Sequence, residues 1–199
     1  ISVFLWKYAL VGKQAGLIKS KRPPLSELLV ALTPLSGLWA MVVLRNFTHQ
    51  AIATFLPLML KSSGLSVWAW GTALSLFLTA GAVGGIVGGY LSDYFNRKVI
   101  IVVTNLLSAV CLGVFVTTAG VISIIFLVLG GFFLLMSSPI NLVVAQEMFP
   151  THANFLASML MGFAYGMGSL AVVGVGWVAD RVGIPISLAG VIIAPLICV

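Results

Sequence analysis

Four polar side chains, Arg45, Asn46, His49 and Gln50, interrupt the apolar stretch 34–57 near its middle. Arg45 and His49 stand four residues apart, and Asn46 and Gln50 repeat that spacing one step round. On an α-helix the four form a stripe along one side, advancing about 6 Å per step. The chemistry this allows is anion binding beside proton exchange. Arg45 reads as an anchor for an anionic group, and His49, with an ordinary imidazole pKa of about 6.5, as a proton-linked partner. The alternative is that Arg45 snorkels or pairs with a carboxylate elsewhere, and that His49 is a satisfied packing residue. No carboxylate accompanies the stripe: Glu27, Asp93, Glu147 and Asp180 all fall in connecting segments or at expected helix ends.

The surroundings of the stripe are set by composition. Hydrophobic residues make up 61% of the chain and charged residues 7%, and mean hydropathy is +1.20. Soluble domains carry about 25% charged residues, so this chain cannot cover a water-facing surface and reads as an integral membrane protein. A charge at mid-membrane costs roughly 2.5–3.5 kcal/mol and usually faces a cavity or a partner. The net charge of +6 comes largely from Lys13, Lys19, Lys21 and Arg22. They lie in one connecting segment with no interleaved aromatics of the kind that stack bases, which argues against nucleic acid and for a cytoplasmic loop. Cys111 and Cys198 fall inside expected helices and read as packing residues. No metal or cofactor is expected.

A bilayer-spanning helix needs about 20 apolar residues. Residues 1–12 read as the end of a truncated helix and 13–33 as a basic linker, closed by Arg22-Pro23-Pro24. Residues 34–199 read as a bundle with spans at about 34–57, 67–91, 98–119, 121–145 and 154–178, and a sixth begun near 184. Gly64, Gly120, Gly183, Pro150 and Pro185 punctuate the joints. The linker, the Asp93–Lys98 loop and the Glu147–His152 loop share one side, and the other side carries only Lys61 and Arg181. The first side is cytoplasmic by the positive-inside rule, which leaves Trp68, Trp70 and Trp177 near the outer interface.

Between the second and third spans stands Gly89-Tyr-Leu-Ser-Asp93-Tyr-Phe-Asn-Arg97-Lys98. This stretch resembles the signature loop of the major facilitator superfamily, commonly G-x-x-x-D-R-x-G-R-R. Gly89, Asp93, Arg97 and Lys98 match. Tyr94 replaces a basic residue, and Asn96 replaces a glycine that would allow positive φ, for which asparagine is the next-best residue. The resemblance implies an all-α, twelve-helix bundle of which this chain is the C-terminal six-helix half. It makes the stripe part of a cavity-lining seventh helix. It implies as partners the lipid bilayer, the N-terminal half, a small-molecule substrate and protons. A titrating carboxylate would then belong to the other half, unless His49 takes that role. Gly89, Asp93, Arg97, Lys98 and Glu147 would latch the cytoplasmic helix ends together in one state; ordinary capping and topogenic charge are the alternative.

The span 154–178 contains Gly162, Gly166 and Gly168, which read as close-packing positions. Tyr165 between them faces either the cavity or a neighbouring helix. Gly81, Gly84, Gly85, Gly88 and Gly89 serve as packing positions on the span 67–91. Neither set precedes the Lys-Ser/Thr of a phosphate-binding loop. From Gln146-Glu147 and Pro150, through Gly162-Phe-Ala-Tyr165-Gly166-Met-Gly168, to Ala179-Asp180, about 40 residues resemble the fosmidomycin-resistance branch. That resemblance implies a drug exporter of the bacterial inner membrane working as a proton antiporter. Uptake of a sugar or organic anion, and a non-transporting receptor or assembly role, are the competing readings. A membrane enzyme would need clustered nucleophile, base or metal ligands, and only Arg45 with His49 comes close. In the complete protein, a reporter active only outside the cytoplasm is expected to work when fused after Lys61 and to be silent after Lys98; the reverse pattern would refute this orientation.

Overall fold

The computed structural model describes residues 25–62, 64, 66–148 and 153–194. Lys13, Lys19, Lys21, Arg22, the expected helix end at 1–12, Pro150, His152 and Cys198 lie outside the described residues. The chain divides into two compact units, 1–33 and 34–199. In the first, residues 25–33 are helical, although the linker was expected to run to 33. Leu25-Ser-Glu-Leu-Leu-Val-Ala-Leu-Thr33 is rich in helix formers, and a proline just before a helix gives up only a donor that would be unpaired anyway.

The helices are α1 (Leu25–Ser62), α2 (Val67–Tyr94), α3 (Arg97–Thr117), α4 (Val121–Met148), α5 (Ala153–Ser158), α6 (Ala164–Val182) and α7 (Ile184–Ile193), with a π-helical turn, Met159–Phe163, joining α5 to α6. By length and composition, Val67–Tyr94, Arg97–Thr117, Val121–Glu147 and Met159–Val182 can each cross a membrane. Helix α1 has 38 residues, more than a bilayer requires, and carries the polar stripe in its interior. No strand occurs among the described residues. That suits lipid, where an open sheet edge would leave backbone groups unpaired.

Local chemistry sets the joints. Ser66 caps α2, its hydroxyl accepting from the Ala69 N–H at 3.4 Å. Asn96 caps α3, its Oδ1 accepting from the Lys98 N–H at 3.0 Å. Asn96 has φ −62° and ψ 115°, so it stands in the glycine position of the signature loop as an N-cap and not in the left-handed turn expected for it. Gly120 and Gly183 do take positive φ, 77° and 91°. Gly183 ends α6 and begins α7 with one left-handed residue, a conformation L side chains resist.

Helix α2 buries Ala73, Phe77, Gly81, Gly84, Gly88 and Ser92, positions three or four apart along one face. That face packs extensively against α4. A Cβ on Gly84 would collide with the Phe132 carbonyl, and one on Gly88 with the Met136 carbonyl. From the α4 side, a Cβ on Gly131 would stand 2.6 Å from Phe77 Cδ2. The two backbones therefore touch through glycine, the small-residue packing membrane helices use where no hydrophobic effect drives them together. Helix α4 also packs along α3 and against α5.

The exterior is apolar: Ile86, Leu170, Val173 and Trp177 are all exposed. Several polar groups are inside, among them Arg45, Asn46, Thr48, Thr104, Asn105, Ser108 and Asn141. Along α1, Met41 and Val42 belong to two apolar clusters, while Ala51, Ile52 and Leu56 join a third with Phe77, Leu112, Phe115, Leu127 and Leu134. The polar stripe falls between them.

Because carbonyl oxygens of a continuous helix cannot step aside, Gly88→Leu is expected to cost about 1–3 kcal/mol or more. Gly113, with nothing within 4 Å of its would-be Cβ, is expected to accept alanine without loss. Thermal unfolding of the complete protein in detergent compares them, and equal midpoints for the two variants would disprove the close contact.

Candidate functional site

The stripe on α1 divides between two neighbours. The Arg45 side chain is only 1% exposed and Asn46 is fully buried. Arg45 Nη2 donates to Asn46 Oδ1 at 3.2 Å, while Arg45 Nε and Nη1 and Asn46 Nδ2 have no hydrogen-bond partner among the described residues. His49 turns to α2, where its ring stacks on Phe77 with centroids 5.6 Å apart and planes 22° from parallel. Both of its ring nitrogens are buried and unpaired. Gln50 turns to α6, its Nε2 donating to Ser169 Oγ at 3.1 Å. Thr48, between them, donates to the Val191 carbonyl of α7 at 3.0 Å.

Arg45 shares a tight pocket with Ser138 and Asn141 of α4, Leu160 and Met161 of the π-turn, and Tyr165 of α6. Its free volume is about 10 Å³, room for roughly one water molecule. Asn141 is 1% exposed, and neither its Oδ1 nor its Nδ2 is paired. A buried donor or acceptor left without a partner costs about 1–3 kcal/mol, so this pocket is expensive to maintain as packing alone. Tyr165, for which sequence left cavity and packing open, is on the pocket wall.

Two departures from regular helix border the pocket. Pro139 sits inside α4, where it cannot donate to the carbonyl four residues earlier. In the π-turn the Ala164 N–H bonds to the Met159 carbonyl, five residues back. The extra residue lets Leu160 and Tyr165, five apart, reach the same pocket. Such π-turns are frequent at functional sites.

At the other charged cluster, Arg97 at the start of α3 forms an ion pair with Glu147 near the end of α4. The Arg97 side chain is 27% exposed and that of Glu147 60%. Lys98 is exposed. Asp93 is exposed in the last turn of α2 and makes no hydrogen bond or ion pair among the described residues. Gly89 lies away from the ion pair, its would-be Cβ 3.9 Å from Pro139 Cγ. A cation in the first turn of α3 and a carboxylate in the last turn of α2 both oppose the helix dipole. Helix stability does not account for them.

Of the glycines expected to bring helices together on the fifth span, Gly168 does so: a Cβ there would be 3.0 Å from the Phe47 backbone nitrogen of α1. Gly162 and Gly166 are exposed, with nothing within 4 Å. Asn141, Ser138 and Asn105 were not singled out from sequence. The available signal was Ser137-Ser-Pro-Ile-Asn141, a polar break inside the apolar run 121–145. Asn105, 1% exposed on α3, donates from Nδ2 to the Ile101 carbonyl at 2.9 Å and leaves Oδ1 unpaired.

Apolar outside, polar inside, and built of membrane-length helices around a buried arginine, this is a multi-pass membrane protein of the helical-bundle type. The chain belongs to the Major Facilitator Superfamily, whose family model matches residues 2–173. It is 30% identical over 122 residues to an uncharacterised MFS-type transporter, YfnC, of Bacillus subtilis (strain 168), a match covering 61% of this chain and 30% of that protein. It is also 30% identical over 131 residues to the fosmidomycin resistance protein of Escherichia coli (strain K12), covering 63% of this chain and 31% of that protein. The matched stretch thus spans about a third of these relatives.

Since exposed ion pairs contribute about 0–1 kcal/mol, a double-mutant cycle on Arg97 and Glu147, read by thermal unfolding, is expected to give a coupling below about 1 kcal/mol. A coupling of several kcal/mol would mean the pair is buried in the complete protein.

Proposed function

We propose that this chain is the C-terminal six-helix half of a secondary active transporter of the bacterial inner membrane, exporting a small organic compound or drug in exchange for protons by alternating access. The observation that carries the reading is Arg45: a buried guanidinium on a long apolar helix, beside Tyr165, with Nε and Nη1 making no hydrogen bond among the described residues. Intramembrane charge that is not paired within the protein is generally functional. Membership of the superfamily supports transport, and the similarity to the fosmidomycin resistance protein favours export. Fosmidomycin is an anionic phosphonate, which a guanidinium suits.

In this reading Arg45 anchors the anionic group, with Asn46, Gln50 and Tyr165 along the substrate pathway and His49 in the proton pathway. Its stacking on Phe77 keeps His49 beside α2, from where a motion between states can bring it to water or to a carboxylate of the N-terminal half. Arg97 and Glu147 form part of a cytoplasmic latch with Gly89, Asp93 and Lys98, and their exposed, modest pairing is suited to being made and broken. A helix pair held by such a contact can separate at little cost.

The test uses the complete protein in inverted membrane vesicles with a pH-sensitive dye, adding fosmidomycin and a panel of other drugs. Drug-induced proton release is expected in wild type. In Arg45→Ala it should fall about tenfold or more, as loss of a charge-assisted contact worth about 1.5–3 kcal/mol implies. Neutralising Arg97 or Glu147 should slow it, and exchanging the two residues should restore it. A folded wild-type protein that gives no response to any compound would remove the antiport assignment and bring uptake or ion-independent transport forward.

A further inference from the structure

Among the buried polar residues that the reading above leaves without a role is Asn141. It stands on α4, on the wall of the pocket that also holds Arg45, with both amide atoms unpaired. Asparagine is a poor choice for an apolar helix interior, and no described residue hydrogen-bonds its amide. The unused groups around the pocket are unequal in kind: Arg45 Nε, Arg45 Nη1 and Asn141 Nδ2 are donors, whereas Asn141 Oδ1 alone is an acceptor. A surplus of buried donors with one fixed positive charge selects a ligand rich in acceptors and carrying negative charge. Tyr165 and Ser138, on the same wall, bring hydroxyls able to donate as well.

We propose that Asn141 and Arg45, presented by facing helices α4 and α1, form a single subsite for a small organic oxyanion, a phosphonate or carboxylate. The guanidinium supplies the charge and the Asn141 amide a neutral second donor that fixes the orientation of the oxyanion. This rests on the reading of Arg45 as an anion anchor and extends it to a specificity-determining residue on α4. The pocket as it stands holds about one water, so the anion occupies it only when its walls part. Those walls include the stretch of α4 around Pro139 and the π-turn Met159–Phe163, two places where the regular α-helical hydrogen-bond pattern is interrupted.

The experiment follows the thermal midpoint of the complete purified protein against methylphosphonate, fosmidomycin and the neutral dimethyl methylphosphonate. Wild type is expected to be stabilised by the two anions and not by the ester. Asn141→Leu should weaken anion binding about tenfold, and the double variant with Arg45→Gln should bind no worse than Arg45→Gln alone, because both residues serve one site. Asn141→Asp provides the control for folding: its carboxylate pairs with Arg45, so the unliganded midpoint stays at or above wild type while anion binding disappears. Anion binding within twofold of wild type in Asn141→Leu, together with its loss in Arg45→Gln, would overturn the role of Asn141 and leave Arg45 as the anchor. A folded wild type stabilised by neither anion would overturn the subsite altogether, and the vesicle assay would then judge transport of uncharged compounds separately.

Discussion

The glycine-lined contact between α2 and α4 is the constraint on which the arrangement of the other helices depends. In lipid, side-chain burial brings little gain over lipid contact, so helices associate where backbones can approach closely. Gly81, Gly84 and Gly88 on α2 and Gly131 on α4 allow that approach, and they fix the rotation of α4 about its own axis. Once that is fixed, Ser138 and Asn141 turn to the Arg45 pocket and Glu147 comes within reach of Arg97. Helix α4 also packs against α3 and α5. One wall of the Arg45 pocket and the carboxylate of the ion pair are therefore carried by a helix that packs against α2, α3 and α5.

Around that fixed core the polar groups are spread unevenly. The stripe on α1 is regular in sequence but heterogeneous in space: His49 meets an aromatic ring on α2, Gln50 a hydroxyl on α6, and Arg45 a pocket shared with α4 and α6. Only the last of these leaves a charged group short of partners. The irregular backbone at Pro139 and in the π-turn gathers around the same pocket. A glycine-packed face of α4 opposite a pocket bordered by Pro139 and the π-turn is an arrangement in which one wall can move while the frame stays in place.

Much of the architecture was legible in the chain. Runs of about 20 apolar residues separated by Gly64, Gly120 and Gly183 locate α2, α3 and α4 to within a few residues, because lipid imposes one solution on the backbone and glycine marks where it turns. The loop from Gly89 to Lys98 identified the family on four residues. The first helix was less legible: its start at Leu25 depends on helix formers in a stretch whose neighbouring charges suggested a linker. The conformation of Asn96 was misjudged because both a left-handed turn and an N-cap favour asparagine, and only the path of the chain chooses between them. The π-turn gave no sequence signal at all.

Sequence by itself determined that this is a bundle of membrane helices and that Arg45 and His49 share a helix face. Each follows from composition or from local periodicity, which need no knowledge of neighbours. Tertiary structure decided that Gly168 meets α1, whereas Gly162 and Gly166 meet no neighbour among the described residues. It also decided that Asn141, which lies outside both stretches that carry a family resemblance, is on the same pocket as Arg45. Contacts between helices depend on the rotation of each about its axis, and that rotation is set by packing with residues distant in the chain, not by the residues alongside.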